Sequence, residues 1–203
     1  MGETILSFLL GIGLSAAVGF RVFVPMLVVS LASMVGVIHL APGFQWMGTP
    51  VAALVFAVAT LVELLGFLVP WVSNALDSIA TPAATIAGVI MMAAVLTDMH
   101  PVARWALAII AGGGVALTVQ GATVVTRVVA AGSTGGVASP IVALVEAIGA
   151  LVVTITTIVI PVIMGVLILI VVLLLLRIVV PKFRAIRAGP KAESKTSQGE
   201  ASH

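Results

Sequence analysis

The chain contains no cysteine, which excludes disulfides, thiolate metal sites and cysteine nucleophiles. Charge is almost as scarce. Lys, Arg, Asp and Glu make up 8% of the 203 residues, where a soluble domain carries about 25%. Hydrophobic residues make up 62%, and mean hydropathy is +1.35. A water-soluble fold of this size cannot hide so much apolar surface, so lipid has to be the solvent for much of it. No Lys or Arg precedes the first apolar run, and that run outlasts the core of a cleavable signal, so it reads as a retained first span. The glycine-rich stretch lacks a Gly-Lys-Ser/Thr ending, which rules out a phosphate-binding P-loop. There is no Gly-x-Ser-x-Gly elbow and no His-Glu-x-x-His pair, so no enzyme is expected. His39 and His100 stand far apart without companion ligands, and neither a metal nor another cofactor is expected.

The basicity that remains is local. Arg177, Lys182, Arg184, Arg187, Lys191 and Lys195 account for six of the nine Lys and Arg residues. A basic tail beside a span is a cytoplasmic anchor to anionic lipid. No basic surface with interleaved aromatics exists elsewhere, so nucleic acid is not an expected partner. The bilayer is.

A helix crossing roughly 30 Å of hydrocarbon needs about 20 mostly apolar residues. The run from Ile5 to Leu40 exceeds one span, and Pro25 inside it predicts a kink or a span followed by an interfacial segment. Further spans are expected over 51–69, 82–96, 102–124, 141–159 and 162–180, separated by Pro- and Gly-containing breaks. Continuous apolar runs of this length fit helices, whose backbone groups pair internally, and do not fit barrel strands, which alternate. The expected fold is therefore an all-α transmembrane bundle of about six spans over residues 1–181, with a basic, disordered tail over 182–203. Six spans and a basic tail put both termini in the cytoplasm.

Two segments look alike. Thr49-Pro50-Val51-Ala52-Ala53-Leu54-Val55 leads to Leu61-Val62-Glu63-Leu64-Leu65-Gly66, and Ser139-Pro140-Ile141-Val142-Ala143-Leu144-Val145-Glu146 leads to Gly149. Glycines precede Arg21 in the first half and Arg127 in the second. Three spans per unit, over 1–98 and 101–181, would make an inverted 3+3 repeat, a common way to build transporters. Chance resemblance in a low-complexity apolar chain is the competing explanation.

The residues that could carry chemistry follow from their cost. A carboxylate within a span costs roughly 2.5 kcal/mol or more on insertion scales, and persists when neutral, paired or beside a water-filled path. Glu63 and Glu146 are such groups. They read either as a proton- or cation-handling pair or as two structural ion pairs, Arg21 with one and Arg127 with the other. Between Pro70 and Pro82, Asn74, Asp77, Ser78 and Thr81 share one side of a helical turn, as a re-entrant lining or as an ordinary capped loop helix. Ser133, Thr134, Gly135 and Gly136 form a glycine-rich segment whose amides could face an anion, or a plain flexible loop. The glycines at 11, 13, 19, 112–114 and 121 suit close helix packing.

Gly13–Pro25, Leu61–Gly66, Asn74–Asp77 and the Ser133–Glu146 block together resemble the bacterial membrane family catalogued as DUF4126, over about residues 8 to 180. The resemblance implies a bacterial inner-membrane protein and carries over no substrate, cofactor or catalytic residue. It points to Arg21, Glu63, Asp77, Gly135, Gly136, Pro140 and Glu146. The function expected is a transporter or channel for an ion or small solute, with Arg21, Glu63, Asn74, Asp77, Arg127, Ser133–Gly136 and Glu146 near a central site. A homodimer would bury the glycine-rich faces. The alternatives are a non-transporting membrane scaffold or assembly protein, and a lipid-handling, flippase-like protein.

Overall fold

The computed structural model describes residues 2–68, 70–134 and 139–187, with side chains except at 67, 68, 70–78, 131, 134, 139 and 178–187. Every regular element among the described residues is a helix: α1 (Gly2–Phe20), α2 (Phe23–Met34), a 3-10 turn (Gln45–Gly48), α3 (Pro50–Leu68), α4 (Pro70–Val95), α5 (Pro101–Leu107), a π turn (Ala108–Gly113), α6 (Gly114–Thr134), α7 (Ser139–Val159) and α8 (Pro161–Arg187). Prolines open α3, α4, α5 and α8, where a missing N–H costs nothing. Gly2–Phe20, Pro101–Ala130 and Pro140–Val159 are long and apolar enough to cross a membrane.

α1 is the central helix. Leu9 and every residue from Gly11 to Gly19 are buried, as befits a helix apolar all round, and α4, α6, α7 and α8 pack around it. Glycines set these crossings. A Cβ on Gly11 would meet Met92, one on Gly13 would meet Thr157, and one on Gly165 would meet Leu9. Gly19 sits against Ala116 and Val119, and Gly88 against Gly112. Gly114 and Gly121 face open space. Gly13→Leu is therefore expected to cost about 1–3 kcal/mol of stability through overpacking, and Gly121→Leu little or nothing. Melting midpoints of the two variants in detergent check this, and equal midpoints would refute the packing argument.

These contacts also fix direction. Leu9 meets Gly165 on α8, and Phe20 shares a cavity with Leu175, so α1 and α8 run parallel. Ser15 donates to the carbonyl of Gly88 and Gly11 meets Met92, so α4 runs antiparallel to α1. At the end where α1 begins, a cavity of about 300 Å³ is lined by Glu3, His39, Asp98 and Pro161 among others. Among the described residues, no three His, Asp or Glu side chains group as metal ligands.

His39 in that cavity shows that α2 has returned to the end where α1 started. The Ile5–Leu40 run is thus two antiparallel helices, not one kinked span. The cause is Pro25 all the same. A helix running through it would need a Pro25 N–H to the carbonyl of Arg21, and the ring would clash with that carbonyl. The chain breaks at Arg21 and Val22 instead, which leaves Pro25 in the first turn of α2. One consequence corrects the expected topology. Gly2 and Arg187 lie at opposite ends of the bundle, whereas six passes would have brought the termini together.

Two other expectations change. The polar segment from Pro70 is not a separate loop or re-entrant turn, because α4 runs unbroken from Pro70 through Pro82 to Val95. α8 continues past Pro181 to Arg187, so the first residues assigned to the tail are helical; 188–203 lie outside the described residues.

Candidate functional site

The α1–α2 turn carries its charge inside the bundle. Arg21 is 1% exposed, and the bundle does not end there. α6 continues from the level of Val119, which meets Gly19, to Thr134, and α8 from the level of Leu175 to Arg187. Irregular backbone at such a depth is tolerated only when protein or a cavity satisfies it. Here Glu63 meets the backbone of the turn and Glu146 meets the Arg21 side chain.

Glu63, on α3, accepts the backbone N–H of Val22 at 3.0 Å and of Phe23 at 3.1 Å, one on each carboxylate oxygen. These are the first amides of α2, which have no intrahelical partners, and no side chain of the N-cap residue reaches them. The carboxylate also meets the positive end of the helix dipole.

Glu146, on α7, binds two guanidiniums. Arg127 Nε donates to Oε1 at 2.8 Å and to Oε2 at 3.0 Å, and Arg127 Nη2 reaches Oε2 at 2.8 Å. Arg21 Nη2 reaches the same Oε2 at 3.2 Å and the carbonyl of Ala143 at 3.1 Å. Forked donors matched to a carboxylate make charge-assisted bonds of this kind. Glu63 holds the two amides that directly follow Arg21 in the chain, so all four charges gather at the same turn. The expectation of one arginine per glutamate is corrected. Both arginines pair with Glu146, and Glu63 takes backbone amides.

Each glutamate lines a groove. The one at Glu146 has a volume of about 420 Å³ and includes Phe20, Thr123, Thr126 and Val145. The one at Glu63 has a volume of about 680 Å³ and includes Val22, Phe23, Val58 and Ala83. Both are walled by apolar side chains that are exposed on the outer face, such as Val145 and Leu54.

The remaining sequence candidates do not all join this site. Ser133 is exposed and its hydroxyl donates to the carbonyl of Ala130 in its own helix. Asn74 and Asp77 lie on α4 with side chains outside the described residues, as does that of Thr134; Gly135 and Gly136 lie outside them altogether. Sequence reasoning missed Gln120, Thr123 and Thr126. Gln120 is 2% exposed with Nε2 unpaired, and Thr123 Oγ1 donates back to the carbonyl of Gln120. Gln120, Thr123 and Arg127 fall at i, i+3 and i+7, a polar stripe along one side of α6, and that spacing is the signal that could have found Gln120 and Thr123.

A helical bundle of membrane-like apolar helices, with ionisable side chains gathered at a broken helix in its interior, is the class this architecture defines. The chain belongs to the DUF4126 family, a domain of unknown function, whose family model matches residues 8–181. No curated protein and no solved structure matches it.

Proposed function

We propose that the protein is a small membrane transporter or channel for an ion or small solute, with its site at the α1–α2 turn. The observation that carries this reading is the convergence of two glutamates, Glu146 buried and Glu63 partly buried, on one helix break, Glu63 through the amides of Val22 and Phe23 and Glu146 through Arg21. Discontinuous helices with charged partners inside the bundle are where secondary transporters hold their cargo, and intramembrane charges mark ion and substrate paths. Protonation or occupation of either carboxylate would loosen its hold on the turn. That couples a binding event to movement of α2.

Placement in a bacterial inner membrane follows from the family resemblance. On this reading the basic residues of α8 lie on the cytoplasmic side, and the parallel run of α1 and α8 supports an N-terminus on the opposite side.

The scaffold reading draws support from the full engagement of Glu146 by two guanidiniums. The lipid-handling reading required arginines open to the bilayer, yet the side chains of Arg21 and Arg127 are 1% and 12% exposed. Purified protein in liposomes should carry protons, an inorganic ion or a small solute, and Glu63→Gln should cut that flux at least tenfold. Flux indistinguishable from empty liposomes across these classes would sink the transport reading.

A further inference from the structure

The two grooves differ in what their carboxylates have left to offer. Glu146 is clamped by Arg127 through both oxygens and by Arg21 through one. Glu63 has no comparable clamp. An ionised carboxylate has about four acceptor positions, and each Glu63 oxygen is matched with one backbone N–H.

Among the described residues, Glu63 is also the only polar side chain that lines the larger groove, whose volume of about 680 Å³ lies in the range that holds a small-molecule ligand. The outer walls face away from the protein. Leu54 is 67% exposed, Val62 62% and Ile79 63%. In a bilayer, that mouth opens to acyl chains, so a ligand enters from the membrane and has to dissolve in it. Where the groove reaches Glu63 it meets a carboxylate. A carboxylate in a low-dielectric setting calls for an opposite charge.

We propose that the Glu63 groove is a binding site for a lipophilic cation, a single positive charge carried on an apolar body. The body fills the space between α3 and α4, and the charge lies against Glu63. Arg21 and Arg127 oppose a cation there, and Glu146, held between them, offsets part of that opposition. An anion would face Glu63 directly. A neutral acyl chain or a second copy of the chain would fit the walls and leave the acceptor positions that Glu63 keeps beyond the two amides unused.

The probe is tetraphenylphosphonium, with the purified full chain in detergent micelles and binding followed by equilibrium dialysis. Saturable binding near one per chain is expected. Glu63→Gln should weaken it at least tenfold, and tetraphenylborate, the anion of the same shape, should not compete. Val58→Trp fills the groove without touching Glu63. Val58 lines the groove and is 52% exposed, so the larger ring takes groove space rather than core space, and this variant should also lose at least tenfold. Absence of saturable binding, affinity kept within twofold in either variant, or competition by tetraphenylborate overturns the proposal. If Glu63→Gln does not yield folded protein, Val58→Trp decides alone. The site does not depend on transport. Binding without flux would remove the transport reading and leave the site; flux of a small solute without probe binding would do the reverse.

Discussion

Glu146→Leu is expected to lower stability by about 3–5 kcal/mol, the cost of breaking a buried charge pair from one side. The variant takes away a carboxylate shared by Arg21 and Arg127, in a place where water cannot replace it. The expected readout is a large fall in the melting midpoint in detergent, or loss of the monodisperse species on size exclusion. Glu146→Gln should cost less, because it keeps an acceptor oxygen and the side-chain shape. Replacing these three charges together tests the interpretation. Arg21→Met, Arg127→Leu and Glu146→Leu together should recover most of the stability, since apolar residues of similar volume substitute well for buried ion pairs. Flux in that triple variant separates two readings. A stable bundle without flux assigns the charges to function, and a stable bundle with flux intact assigns them to structure. If Glu146→Leu alone melts with the wild type, the network does not hold the bundle.

Much of the fold was legible because membrane helices announce themselves by length and apolarity. Pro50, Pro101 and Pro161 open helices at or beside expected boundaries. Two prolines misled. Pro82 reads as the start of a span, yet α4 runs through it; a proline within a helix costs one backbone bond, which membrane bundles tolerate. Pro25 reads as a kink at its own position, but the carbonyl that loses its donor belongs to Arg21, so the break falls one turn earlier. That the chain then reverses is a tertiary outcome, fixed by Glu63 from about forty residues away in sequence.

The site was legible in its members and illegible in its pairing. Glu63 and Glu146 share a Leu-Val-Glu-x-x-Gly setting, and nothing local distinguishes them. Their roles diverge because α7 passes beside Arg21 and Arg127 while α3 passes beside the start of α2. Hydrogen-bonding backbone does not show in a sequence at all. The amides of Val22 and Phe23 became functional groups only because Pro25 broke the helix in front of them.

Glu63→Leu should release those two amides. Each buried donor left without an acceptor costs about 1–3 kcal/mol, and the apolar groove offers no replacement. The expected result is faster hydrogen exchange at Val22 and Phe23, with α1 protection near Gly13 unchanged, together with a lower melting midpoint. Glu63→Gln separates charge from capping. It retains one acceptor oxygen and no negative charge, so protection at Val22 and Phe23 should fall only in part. Any step that needs the charge, whether flux or binding of a lipophilic cation, should be lost in both variants alike. Exchange at these amides that matches wild type in Glu63→Leu would mean that other contacts hold the turn. Glu63 would then be free to serve the groove alone, and the proposed link between occupying the carboxylate and moving α2 would have no physical carrier.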